Sequence, residues 1–279
     1  MTTLHDKAVL FGSLHTGGEP LVLANAWDVA SALLVEEAGA KAVATTSAGV
    51  AWSLGAPDGD RLDRDRALGL VAGVAAAVDV PVTADIESGF GEKPEDVADT
   101  VRGVLEAGAV GVNIEDTVRG ASRGLRPVEE QAARLAAARA AADAAGIPLY
   151  INARVDVYGH PGGDPETRLR AALDRAAAYL AAGASGIFVP FVTDPGTVEA
   201  LVQGVGAPLN ILAGPGAPAV GELAALGVAR VSTGSSVAVA AYAVARQAAR
   251  ELYGAGTYGA LSGELTFGEL NALMSDRGQ

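Results

Sequence analysis

The chain has 279 residues, half of them apolar, with a formal net charge of −13 and no cysteine. That length suits one large domain or two ordinary ones, and the missing cysteines exclude disulfides, thiolate metal sites and a thiol nucleophile. So acidic a surface repels phosphate backbones and argues against nucleic acid as a partner.

At the N-terminus, MTTLHDKAVL carries His5, Asp6 and Lys7 and lacks the apolar stretch of a secretory signal. Later Ala-rich stretches are interrupted by Arg, Asp or Glu at helical intervals, so no membrane span is expected. A cytoplasmic protein without a membrane partner is the expectation. Eight short apolar runs then follow, introduced alternately by proline and glycine: Pro20, Gly39, Pro81, Gly108, Pro148, Gly183, Pro208 and Gly227. Proline is tolerated where a strand begins, because its missing N–H precedes the ladder. Each glycine follows a helical pattern, where the residue after the last turn often takes positive φ.

Helical periodicity separates the runs. Over 94–107, Pro94 sits in the first turn and Val97, Val101, Val104 and Leu105 share one face. Over 166–182, Leu169, Leu173, Ala176 and Leu180 do the same. The strands are apolar throughout rather than alternating, as expected when both faces are buried. Eight β–α units predict a single α/β domain over 1–279, a (β/α)8 barrel. The alternative is an open doubly wound sheet, but NAWDVASALL after the first strand contains no GxGxxG. A helix over 235–253 precedes 254–279, read as a helical C-terminal extension that packs across the barrel or on another subunit.

In such barrels the reacting groups lie at the C-terminal strand ends. Here those ends carry Asn25, Ala26 and Trp27; Thr45 to Gly49; Asp85 and Glu87; Asn113, Glu115 and Asp116; Arg154 and Asp156; Asn210; and Ser232 and Thr233. The sixth, Val189-Pro190-Phe191, offers nothing charged. Asp85 and Glu87 are two apart and share a side of their strand, and Glu115 ends the next strand. Three converging carboxylates repel unless one is protonated or a cation balances them, and a hard cation with oxygen ligands, Mg²⁺ or Mn²⁺, is the economical answer. Helix capping or pairing with arginine is the alternative use of these acids. Arg154 either grips a substrate carboxylate in a bidentate fork or pairs with Asp116 or Asp156. TTSAG at 45–49 either presents N–H groups to an anion or forms an ordinary turn. STGSS at 232–236 either cradles a phosphate or, preferably, caps the next helix. Of the histidines, His160 is the nearest to an acid/base candidate, and a solvated loop residue is the more economical reading.

Together TTSAGVAWSLGAPDGD (45–60), VTADIESGFG (82–91), VNIEDT (112–117) and INARVDVY (151–158) resemble the isocitrate lyase/phosphoenolpyruvate mutase superfamily. The resemblance runs from NAWDVASALL to VSTGSS and implies a barrel whose eighth helix is exchanged between subunits in a dimer of dimers. It implies Asp85 as the direct Mg²⁺ ligand, with Glu87, where the family usually has Asp, and Glu115 holding metal-bound waters. It implies substrate contacts from Thr46, Ser47, Ala48, Arg154 and Asn210, and a supporting acid, Asp58; Trp27 joins the substrate-binding candidates. In the lyase branch a lid carries Lys-Arg-Cys-Gly-His; here the same positions read Ala121 to Leu125, with Arg123 in place of the Cys. The lysine-rich mutase lid is also missing. The expectation is a Mg²⁺-dependent carbon–carbon lyase or decarboxylase acting on a small 2-oxo or 2-hydroxy (di)carboxylate. Arg123 or Arg126 would close over the distal carboxylate. The alternatives are a P–C bond enzyme of the phosphonopyruvate type, a non-catalytic 2-oxo-acid binder, and a phosphate-sugar barrel using STGSS.

Overall fold

A computed structural model describes residues 2–118 and 124–275. Eight strands form one parallel sheet: β1 (Leu21–Leu23), β2 (Val43–Ala44), β3 (Val82–Asp85), β4 (Gly111–Glu115), β5 (Tyr150–Arg154), β6 (Gly186–Val189), β7 (Leu209–Leu212) and β8 (Arg230–Ser232). Their order is β1-β8-β7-β6-β5-β4-β3-β2. A parallel bridge between Ala26 and Thr45 joins the two ends of that order, through Ala26 N to Ala44 O at 2.8 Å and Thr46 N to Ala26 O at 3.0 Å. The sheet therefore closes, and the open doubly wound alternative is excluded.

The punctuation works as its chemistry requires. Gly39, Gly108, Gly183 and Gly227 hold φ of 97°, 89°, 100° and 89°, the left-handed conformation that lets a helix stop and a strand begin. The helices are α1 (Leu4–Ser13), α2 (Val29–Glu37), α3 (Ser47–Ser53), α4 (Arg64–Ala77), α5 (Pro94–Glu106), α6 (Val128–Ala144), α7 (Pro165–Ala181), α8 (Pro195–Val205), α9 (Val220–Ala225), α10 (Ser236–Gly254) and α11 (Phe267–Ser275). Asp28, Asp63, Asp164 and Asp194 cap α2, α4, α7 and α8 by accepting from backbone N–H groups of the first turn. Proline opens α5, α7 and α8, where its missing N–H is not needed.

The main core lies between strands and helices, with Val112, Ile114, Ile151 and Ile187 meeting Val97, Val101, Leu135 and Ala176. Each such side chain contributes about 1.5–3 kcal/mol on burial, which offsets the ordering of short strands. A second cluster plugs the N-terminal end of the barrel, where Phe11 of α1 meets Tyr150 edge-on with ring centroids 5.6 Å apart. Gly111 makes room for this plug: a Cβ there would stand 2.6 Å from the Phe11 ring and 2.7 Å from Thr83 Oγ1. With one end plugged, the open end carries the strand C-termini.

Helix α10 departs from this economy, because Ala238 is the one buried residue among its 19. After it come a single 3-10 turn at Gly259–Leu261 and α11, neither with a buried residue. Among the described residues no helix is long and apolar enough to cross a membrane.

Candidate active site

The strand C-termini enclose a cavity of about 180 Å³. Thr46, Ser47, Ala48, Asp58, Asp85 and Arg154 all line it, drawn from the turn after β2, α3, the loop before α4, β3 and β5. Asp85 is held on three sides. Its backbone N donates to Thr45 Oγ1 (2.9 Å), Oδ2 accepts from Ser47 Oγ (3.2 Å), and Oδ1 accepts from Glu87 N (3.2 Å). Burial pushes its carboxyl above the usual range; Arg154 works against that shift and Asp58 adds to it.

Two carboxylates clamp Arg154. Its Nη1 lies 2.9 Å from Glu115 Oε2 and its Nε 2.8 Å from Asp156 Oδ1. Burial opposes its charge, but Glu115, Asp156 and Asp85 outweigh burial and hold the guanidinium ionised. Of the two uses foreseen for Arg154, the structure shows the ion pairing, with Glu115 and Asp156 as its partners rather than Asp116. Asp116 stands one layer back and accepts from Asp156 N (2.9 Å), Arg175 Nη1 (3.0 Å) and Tyr179 OH (2.8 Å). Thr117 Oγ1 donates to the other Asp156 oxygen at 2.8 Å. This buried network fixes the edge of Arg154 that faces away from the cavity.

The three acids of the sequence pattern do not share one space. Glu87 takes φ of 52°, and its carboxylate accepts from the backbone N–H groups of Gly59 (2.9 Å) and Asp60. It thereby ties the Asp58 loop to β3. Burial, reinforced by Asp60, Asp58 and Asp85, pushes Glu87 up to about 8 against the pull of the Asp60 amide. Glu115 is turned to Arg154. Among the described residues, no three acidic or histidine side chains form a metal cage. Asp85 and Asp58 are the carboxylates on the cavity wall.

These donors fit a hard divalent cation that keeps much of its water. Charge supports the fit. Glu115, Asp156 and Asp85 act on Arg154, Asp58 stands on the same wall beside Asp85, and Arg230, buried in the barrel, is a second cation coupled to Asp85. Four carboxylates against two guanidiniums leave an excess of negative charge that would repel an acidic substrate, and a divalent cation would cancel it.

Other expected residues lie elsewhere. Trp27 packs outward, its ring 6.4 Å from that of Tyr242, and is not on the cavity wall. Asn210 is buried below, where Oδ1 accepts from Ser232 Oγ at 3.2 Å and Nδ2 has no partner among the described residues. Arg123 lies outside the described residues. Arg126 is buried and pairs with Glu92 (3.4 Å) and Glu130, away from the cavity. The preferred reading of STGSS as a helix cap is corrected: Ser235 makes no capping hydrogen bond. Instead Thr233 N (3.1 Å) and Gly234 N (3.0 Å) donate to Asn25 Oδ1, and 232–236 line the cavity. His160 accepts from Arg168 through its backbone carbonyl at 2.6 Å. Sequence reasoning missed Asp116 as a hub and Arg134, which donates to the carbonyls of Ser88, Gly91 (2.8 Å) and Glu92 (2.5 Å) to shape the β3–α5 loop. Neither has a local signal, since each depends on contacts about forty or more positions away.

Residues 11–253 match the family model described as phosphoenolpyruvate phosphomutase. The 2-methylisocitrate lyase of Escherichia coli K12 is 33% identical over 215 residues, 74% of this chain and 70% of that one. Oxaloacetate decarboxylase 2 of Pseudomonas fluorescens Pf0-1 is 30% identical over 258 residues, 90% of this chain and 86% of that one. A solved structure from Burkholderia cenocepacia J2315, provisionally described as a lyase/mutase, is 38% identical, superposes with a TM-score of 0.89, and covers 98% of this chain and 96% of its own.

Proposed function

The chain belongs to the phosphoenolpyruvate phosphomutase family, and from that premise we propose that it is a cytoplasmic Mg²⁺-dependent carbon–carbon lyase or decarboxylase acting on a small 2-oxo or 2-hydroxy (di)carboxylate through an enolate. One observation carries the proposal: Asp85 and the doubly clamped Arg154 line the same small cavity. Asp85, with Asp58, would hold the cation, and Glu87 and Glu115 would orient its waters. When bound, Mg²⁺ or Mn²⁺ supplies electrostatic stabilisation of negative charge on the substrate's 2-oxygen.

The chain's own groups do the rest. Arg154 receives the carboxylate next to the 2-oxo carbon with the N–H groups that Glu115 and Asp156 leave available. Thr46, Ser47 and Ala48 complete that subsite. Cleavage sends the electron pair of the breaking C–C bond into the carbonyl, and a water returns a proton to carbon 3. With no cysteine in the chain, a thiol cannot serve as acid/base, which favours decarboxylation, where CO₂ leaves without one. The E. coli and P. fluorescens relatives, by their names, span both kinds of C–C cleavage.

The assembly is proposed to be a homo-oligomer in which α10 docks on a second copy, as a dimer of dimers. Tyr253 and Phe267, 86% and 83% exposed, lie on the segment that would be covered. Purified protein is to be assayed with a panel of 2-oxo, 2-hydroxy and phosphono acids, with products identified. CO₂, pyruvate or glyoxylate released in a Mg²⁺-dependent way is the expected result; release of phosphate alone would replace this assignment with P–C bond cleavage.

A further inference from the structure

Branched aliphatic side chains usually fill the inside of such a barrel, but beneath this cavity the interior is polar. Thr83, Asn113, Asn152, Asn210 and Arg230 are all buried. Arg230 enters from β8 beside Asn210, its partner in the ladder with β7. It reaches across to β4, four strands away in the closed ring, where its Nη2 lies 3.4 Å from Asn113 Oδ1. Asn113 also accepts from Asn152 Nδ2 at 2.9 Å and lines the catalytic cavity. Arg230 is not on the cavity wall, so Asn113 is the floor between the two.

The Arg230 guanidinium is short of partners. It is 1% exposed, and its Nε and Nη1 have no hydrogen-bond partner among the described residues. Its contact with the Asn113 amide oxygen is long for a hydrogen bond. Arg154, one layer up, has two carboxylates at 2.9 and 2.8 Å; among the described residues Arg230 is ion-paired with none. Burial lowers its guanidinium to about 10, against the pull of Tyr150 and Asp85. A buried charge without a counter-charge is costly. The neighbouring free atoms do not supply one. Asn210 Nδ2 is unpartnered among the described residues and, like the guanidinium, can only donate. Thr83 Oγ1, on the strand next to β4, is unpartnered in the same way and offers a further hydroxyl donor. His15 Nε2, an unpartnered acceptor, belongs to the plug against Tyr150 and is uncharged.

We propose that the barrel interior at Arg230 is a binding site for a small monovalent anion of the halide class, held by the guanidinium with Asn210 Nδ2 as the neighbouring donor. The surroundings call for an acceptor that also carries negative charge. Water would satisfy the N–H groups but leave the charge uncompensated. One guanidinium matches a single negative charge, whereas phosphate or sulfate would bring more. A carboxylate substrate is held off by the floor at Asn113 and meets Arg154 first. The site is independent of the reaction assigned to the cavity above it.

Two measurements on the full chain test the proposal. In the first, urea unfolding is followed while sodium chloride replaces sodium gluconate at constant ionic strength, in wild type and in Arg230→Met, which removes the buried charge and keeps much of the volume. In wild type the folding equilibrium should grow toward about tenfold for each tenfold rise in chloride, as linkage to one site requires; in Arg230→Met it should change less than about twofold. In the second, crystals are soaked in sodium bromide and the anomalous signal is mapped. A bromide peak in contact with Arg230 Nε or Nη1 in wild type, absent from Arg230→Met, is the expected result. Water alone at Arg230 overturns the proposal, and so does a chloride response equal in the two proteins. A bromide peak that persists in Arg230→Met marks an adventitious ion only and overturns it as well. Should Arg230→Met fail to fold, the bromide map of wild type decides alone.

Discussion

His15 is the residue through which acid should first loosen the barrel. It is 4% exposed, stacked on Tyr150 with centroids 3.8 Å apart and 13° between planes. Its Nδ1 lies 2.9 Å from the Phe11 carbonyl. A carbonyl only accepts, so Nδ1 carries the proton and Nε2 is left without one; Nε2 also has no partner among the described residues. Burial first, and the charge of Arg230 second, depress the imidazole from 6.5 to about 3, against the pull of the Phe11 and Gly12 carbonyls. The folded pKa lies below the unfolded one, so the unfolded chain binds the proton first. The stabilisation is complete above about pH 6.5 and is lost as pH falls toward about 3. Each pH step of one is worth about 1.4 kcal/mol, so lowering the pH from about 6.5 to about 5 removes about 2 kcal/mol from this group alone. Urea unfolding at about pH 7 and about pH 5 measures that loss, with His15→Gln as the reference. Gln can still donate to the Phe11 carbonyl but does not titrate, so the variant should lose about 2 kcal/mol less between the two pH values. Equal losses in the two proteins would refute the claim that the buried imidazole is held neutral.

Two further changes probe the layers behind the cavity wall. Asp116→Ala leaves Arg175 buried without its carboxylate, which should lower the unfolding free energy by about 3–5 kcal/mol. Because Asp116 also seats Asp156 against Arg154, the variant's KM for a carboxylate substrate should rise more than its kcat falls, as steady-state kinetics will show. Glu87→Ala removes the acceptor of the Gly59 and Asp60 amides; metal affinity, followed by calorimetry, should weaken about 10–100-fold, and urea unfolding should show a loss of about 1–3 kcal/mol.

Much of the architecture is legible in the order of residues because short-range chemistry governs it. The four glycines that end helices do so by positive φ, and the prolines that lead strands do so by lacking an N–H, both properties of single residues. The side of the strand that Asp85 shares with Glu87 is a different matter. Alternation holds only while the strand stays extended, and the positive φ at Glu87 ends it, turning that carboxylate to the Gly59 and Asp60 amides. Glu115 ends its strand as the pattern requires, and its carboxylate lies 2.9 Å from Arg154 on the neighbouring strand, a pairing set by the ladder register rather than by local sequence. Trp27 sits at the right strand end but points to α10, a direction set by packing rather than by sequence position.

The most direct measurement is oxaloacetate cleavage, followed as pyruvate formation, while Mg²⁺ is titrated into chelator-treated wild type and Asp85→Ala. Saturable, Mg²⁺-dependent pyruvate formation in wild type, lost by at least about 100-fold in Asp85→Ala without a change in fold, is the expected result. Pyruvate formation that is indifferent to Mg²⁺, or equal in the two proteins, would contradict the assignment of Asp85 and the cavity it lines to metal-dependent chemistry.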